Sequence, residues 1–164
     1  MSSCIKQIEK TFTGQPVVEF DAAVLNPVTP PYSYPVLLRI PPYGLPSVTA
    51  NSPIVINRNM TDTVKLRVNL VGAHRNQDEV ISYRVLTDVT PASPNLLAVA
   101  GTHFTTGTSF TIPAGSSFGE VRIIVINPGT SSTNPREVHL ELMGNSNIRP
   151  SENYKRVAIR IAQN

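Results

Sequence analysis

Nucleophilic and metal chemistry are the first possibilities to weigh in a chain with one cysteine, three histidines and eleven acidic residues. A Ser/His/Asp hydrolase sets its serine on a strained elbow, and no G-x-S-x-G occurs; the serines cluster in turns, where they serve as turn formers. Cys4 falls in a polar N-terminal run and has no rigid element to hold it for attack. Zinc needs converging ligands, yet His74, His103 and His139 are isolated, without H-E-x-x-H or C-x-x-C spacing. Asp21, Asp62, Asp78 and Asp88 fall in different turns with no D-x-D pattern, so a calcium site would have to be assembled from the Asp78-Glu79 pair and Asp88. Glu137 and Glu141 share one strand face about 13 Å apart, which suits solvated positions better than a glycosidase pair. No catalytic residue, metal site or cofactor is expected.

Contact chemistry is better represented. Tyr32, Tyr34 and Tyr43 lie in the proline-dense stretch 22–53, where a rigid backbone could present them as a platform for a sugar ring or a protein. The alternative is that they pack this stretch back onto the body of the domain. Asn59-Met60-Thr61 fits a glycosylation sequon and is assigned no role.

The elements that would position these residues are strands. Val64–Val71 alternates, with Val64, Leu66, Val68 and Leu70 on one face; Glu79–Thr87 repeats the pattern through Ile81, Tyr83 and Val85. In Glu137–Leu142 the valine and leucines should point inward and Glu137, His139 and Glu141 outward, and Val157–Ile161 closes the chain with Val157, Ile159 and Ile161 inward. Val121–Ile126 is almost wholly apolar and reads as a central strand covered on both faces or lying at the sandwich middle. Val17–Phe20, Pro53–Arg58 and Thr108–Ile112 are further short strands, and Leu96–Ala100 leads toward the last of them. Val36–Ile40 can form only an edge strand, because the flanking prolines lack ladder donors. Fifteen prolines against nine glycines, and no helical period, suit short strands joined by rigid turns. The expectation is one all-β domain over 17–164, an antiparallel sandwich of about seven to eight strands, preceded by a flexible tether over 1–16.

The net charge of +3 comes from scattered cations, not a run that could neutralise adjacent phosphates, so nucleic acid is not an expected partner. Arg67, Arg84, Arg122 and Arg160 sit within alternating stretches and read as cations on solvated sheet faces. No stretch has the length of apolar residues that a membrane-spanning helix needs.

Val64–Ala73 (VKLRVNLVGA), the later AGTHF, SFTIPAG and VRIIVI, and the closing EVHLEL and YKRVAIRI resemble secreted lipoprotein domains of Bacteroidetes bacteria whose sandwich is similar to Calx-beta, immunoglobulin-like domains. The resemblance covers about Val17 to Ile161. It implies an immunoglobulin-like (Calx-beta-like) sandwich, and calcium binding where Calx-beta domains carry an Asp-Tyr pair; His103-Phe104 stands there instead, a departure that counts against calcium. Ser2-Ser3-Cys4 is similar to the end of a lipoprotein signal, which implies that Cys4 is lipidated and that the signal's apolar stretch has been removed.

These readings lead to an extracytoplasmic, lipid-anchored binding or scaffolding domain without turnover, located in the outer membrane or periplasm and reaching the membrane only through Cys4. Its partner would be a glycan or another surface protein. A structural or adhesive subunit that assembles by edge-strand pairing is the alternative.

Overall fold

A computed structural model of the chain describes residues 14–22, 25, 28–43 and 54–164. Cys4 and most of the expected tether lie outside these residues, as does part of the proline-dense stretch. The described chain forms β1 (Val17–Phe20), β2 (Val36–Leu37), β3 (Thr63–Val71), β4 (Glu79–Leu86), β5 (Leu96–Leu97) and β6 (Phe104–Thr106). It continues through β7 (Ser109–Ile112), β8 (Phe118–Val125), β9 (Arg136–Gly144), β10 (Arg149–Pro150) and β11 (Arg156–Ile161). They build an immunoglobulin-like β-sandwich from a five-stranded sheet, β10-β1-β3-β8-β6, and a six-stranded sheet, β2-β11-β9-β4-β7, with β5 beside β9.

Alternation places the core. Val64, Leu66 and Val68 of β3 meet Val121 and Ile123 of β8 in one layer, and Ile81, Leu140, Leu142 and Ile159 supply the other; all are essentially inaccessible to water. Each such aliphatic side chain contributes about 1.5–3 kcal/mol on burial, which makes this period-two pattern the main determinant of the fold.

Three expectations need correction. The sheets are mixed: β1 runs parallel to β10, β2 to β11 and β5 to β9. Each of these pairings involves a two-residue strand, a short extended piece of a loop laid beside a longer strand, so no crossover helix is required. Next, β8 is not covered on both faces, since Ile124 is 52% exposed between Thr63 and Thr105 on an open sheet surface. Finally, Glu137, His139 and Glu141 are buried. They do point away from the hydrophobic core, but the proline-dense stretch covers that face. There β2 lies at the sheet edge, where Pro35 contributes its carbonyl to Ala158 N–H at 2.9 Å and needs to donate nothing.

Two glycines allow close approaches. A Cβ on Gly119 would lie 2.6 Å from the Thr111 carbonyl oxygen and 2.7 Å from the Phe110 ring, so β7 crosses β8 closely only because residue 119 has none. Gly144, at φ +75°, turns the chain out of β9 in a conformation that L side chains disfavour.

Candidate functional site

The outer face of the six-stranded sheet is covered over β9 and β11, while Val80, Ser82 and Arg84 of β4 stay exposed at its other end. Tyr32 and Tyr34 are 9% and 7% exposed, their rings stacked with centroids 5.4 Å apart, and they pack with Val36 against Ala158 of β11. The Tyr32 hydroxyl donates to Glu137 Oε2 at 2.6 Å and accepts from Ala92 N–H at 3.1 Å. His139 Nε2 lies 3.1 Å from the same Oε2, and Tyr34 Oη lies 3.1 Å from His139 Nδ1. The ionised carboxylate can only accept, so Nε2 carries a proton, and in the neutral ring Nδ1 then accepts from Tyr34. Glu137 Oε1 takes Arg160 Nε at 2.9 Å and Asn95 Nδ2 at 3.0 Å. Two repeats of the pleat beyond Glu137 along β9, Glu141 is held by Arg84 Nε and Arg156 Nε, each at 2.8 Å.

This arrangement fastens a strap to a sheet. Both carboxylates and the imidazole are saturated by protein groups, which leaves no lone pair or proton free for a substrate. Of the two readings left open for the tyrosines, Tyr32 and Tyr34 follow the one in which they pack the strap back onto the domain: their apolar ring bodies fill the space under the strap and their hydroxyls satisfy the Glu137–His139 pair.

Burial pushes the Glu137 carboxyl up, but hydrogen bonds from His139, Tyr32 and Arg160, with the Arg160 charge, outweigh it and hold the group below the usual carboxylate range. Glu141 behaves likewise, its burial outweighed by Arg84 and Arg156. The hydrogen bond from Arg75 lowers Glu79. Groups depressed in the folded state contribute stability that is present above their unfolded values, about 4.3, and lost as pH falls through the folded ones. The urea midpoint should therefore drop steeply below about pH 4.5; a midpoint unchanged between neutral pH and mild acid would show that these pairs add nothing. Burial and the Glu137 hydrogen bond push Tyr32 up to about 12. Its contribution is full below the usual tyrosine value of about 10 and fades as pH rises toward the folded value.

The outer face of the five-stranded sheet is different. Tyr43 returns over β3, and its hydroxyl accepts Arg67 N–H at 3.1 Å; burial pushes that hydroxyl's pKa up. The Arg67 guanidinium lies 4.8 Å from the Tyr43 ring centroid and 4.5 Å from that of Phe118, whose residue is 38% exposed. Beside them opens a cavity of about 610 Å³ lined by Tyr43, Ile54, Asp62, Lys65, Arg67 and Glu120. A second cleft, about 490 Å³, runs between β7 and β8 past Tyr83, Gly107 and Phe118, and Glu120 borders both. Of the three tyrosines singled out by sequence, Tyr43 lines the first of these depressions, whereas Tyr34 borders a smaller one of about 260 Å³ beside Glu152, Lys155 and Arg156. Arg67, which the sequence reading did not select as a contact, joins Tyr43 there, and Phe118 lies against Arg67 from the neighbouring cleft.

The remaining candidates do not converge. His74 is exposed, whereas His103 is buried with Nδ1 taken by Val99 N–H at 3.0 Å. Burial, then the Arg136 charge, hold the His103 ring below its usual range. Asp78 accepts from Ala114 N–H, and Glu79 from Arg75 and Asn145. Among the described residues no group of three His, Cys, Asp or Glu could hold a metal ion. No helix among them is long and apolar enough to cross a membrane.

No family model matches the chain, and no curated protein matches it in sequence. Solved structures do match its shape. The apo form of the Calx CBD1 domain superposes with a TM-score of 0.55 at 14% identity, over 92% of this chain and 99% of that domain. The fold is Calx-beta-like. A two-domain protein of unknown function from Bacteroides fragilis superposes with a TM-score of 0.54 at 9% identity, over 90% of this chain. The Calx-beta-like sandwich spans 45% of that second protein's length. At these identities the likeness speaks to fold. In the Calx-beta-like sandwich described here, His103-Phe104, the departure from the Calx-beta Asp-Tyr pair, sits at the start of β6 with both residues buried.

Proposed function

We propose that this domain is a non-catalytic binding or scaffolding module presented outside the cytoplasm, anchored in the native protein through a lipid on Cys4, and that it captures glycan on the outer face of its five-stranded sheet. One observation carries the reading: the open depression at Tyr43, Arg67 and Glu120 combines ring surface with donors and acceptors of both kinds. Sugar rings offer C–H faces to aromatics and hydroxyls to charged side chains, and such a mixed surface suits them. The Glu137–His139 cluster, where an acid and a base do meet, is buried and saturated, which favours affinity over turnover.

A glycan-array screen tests this with three proteins: the parent chain, a Tyr43→Ala/Phe118→Ala variant and a Tyr32→Phe/Tyr34→Phe variant, each checked for folding. Binding retained by the strap variant and lost by the Tyr43/Phe118 variant is the expected result. Absence of binding to every glycan would move the function to a protein partner. A second reading, assembly by edge-strand pairing, draws on β7, which ends the six-stranded sheet with an outer edge that no other strand covers among the described residues. It requires a mass that rises with concentration.

A further inference from the structure

Arginines on the outer face of the six-stranded sheet close on carboxylates: Arg84 and Arg156 on Glu141, Arg160 on Glu137. Arg67 does not. Its direct cross-strand neighbour is Glu120, yet Glu120 leans 3.4 Å toward Arg122 and leaves the Arg67 guanidinium against two rings with no acceptor among the described residues. Its Nε is buried and finds no hydrogen-bond partner among the described residues. Lys65, two residues before it on the same face of β3, is exposed, forms no ion pair among the described residues and lines the same cavity.

We infer that this cavity is a receptor for an acidic saccharide, with a uronate carboxylate seated on Arg67 and Lys65 and the sugar hydroxyls on Asp62 and Glu120. The inference rests on the glycan-binding reading and names its substrate class. A guanidinium held against two aromatic rings has lost much of its freedom to turn and keeps a planar fork of donors, the geometry that matches a carboxylate. The two carboxylates at the rim select between anionic ligands. They repel a run of acidic side chains, whereas the hydroxyls around a sugar carboxylate give them donors to accept. Exposed Phe118 offers a ring for the sugar's C–H face.

The test is calorimetric titration with a short oligogalacturonate, its fully methyl-esterified counterpart and an oligoglutamate peptide. Esterification removes the charge and leaves the sugar skeleton, so affinity should fall at least about tenfold. Arg67→Lys, which keeps the charge and loses the fork, should weaken the free acid about tenfold. Lys65→Gln, at an exposed position that leaves folding untouched, should give a smaller loss together with a shallower dependence on salt. Esterified and free oligomers bound equally well would overturn the inference and leave glycan binding standing. Oligoglutamate bound as tightly as the uronate would overturn it in favour of an acidic peptide. Failure of every saccharide would overturn both readings.

Discussion

Glu137→Ala should destabilise the domain by about 3–5 kcal/mol, the cost of breaking a buried ion pair from one side. The carboxylate is inaccessible to water and takes hydrogen bonds from Tyr32, His139, Arg160 and Asn95, so truncation strands all of those donors at once. Those partners come from the strap, from β9 itself, from β11 and from the segment before β5, so the loss should be felt across the sheet face. In urea melts the midpoint should drop without a matching fall in slope, and a protease should cut between Val28 and Tyr43 faster than in the parent protein. Glu137→Gln retains volume and a single carbonyl acceptor and should fall between the two. A cost under about 1 kcal/mol for the alanine variant would mean that the strap is held by ring packing alone.

Gly144→Ala should cost about 2–4 kcal/mol. The residue's φ of +75° strains any L side chain, and the new methyl would stand 2.2 Å from the Ile148 carbonyl oxygen, a backbone atom that cannot swing aside. Gly115→Ala provides the contrast. Its φ of +73° is similar, but nothing lies within 4 Å of the added Cβ, so it should show the conformational cost alone, about 1–2 kcal/mol. The difference between the two variants measures how firmly the β9–β10 turn is fixed. Equal costs would show that Ile148 shifts freely.

The contrast between the two sheet faces also explains what local sequence could and could not reveal. Alternation in β3, β4 and β11 identified which side chains share a face and which face meets the core, because that depends only on a period of two. Whether the other face meets water is decided elsewhere in the chain. Tyr32 reaches Glu137 across 105 positions, a pairing that no local window contains. A signal was nevertheless present: Glu137 and Glu141 sit in one strand, Arg84, Arg156 and Arg160 in its two neighbours, and opposite charges on adjacent strands are more consistent with a paired face than with a solvated one. The run around Ile124 misled in the other direction, since an apolar residue on an open sheet looks, in sequence, the same as a covered one. Arg67 was visible as a strand cation, whereas its lack of a carboxylate among the described residues depends on Tyr43 returning over β3 and on Glu120 turning to Arg122.

The claim that joins these observations is a division of labour, in which the strap closes the six-stranded sheet's outer face over β9 and β11 and the five-stranded sheet's outer face receives ligand. Amide chemical-shift mapping during titration with the free-acid oligogalacturonate tests it most directly. The account predicts perturbations centred on Lys65 and Arg67 of β3 and on Phe118 and Glu120 of β8, with Tyr32, Tyr34 and the amides around Glu137 unmoved. Perturbations centred on the strap and β9 would contradict it.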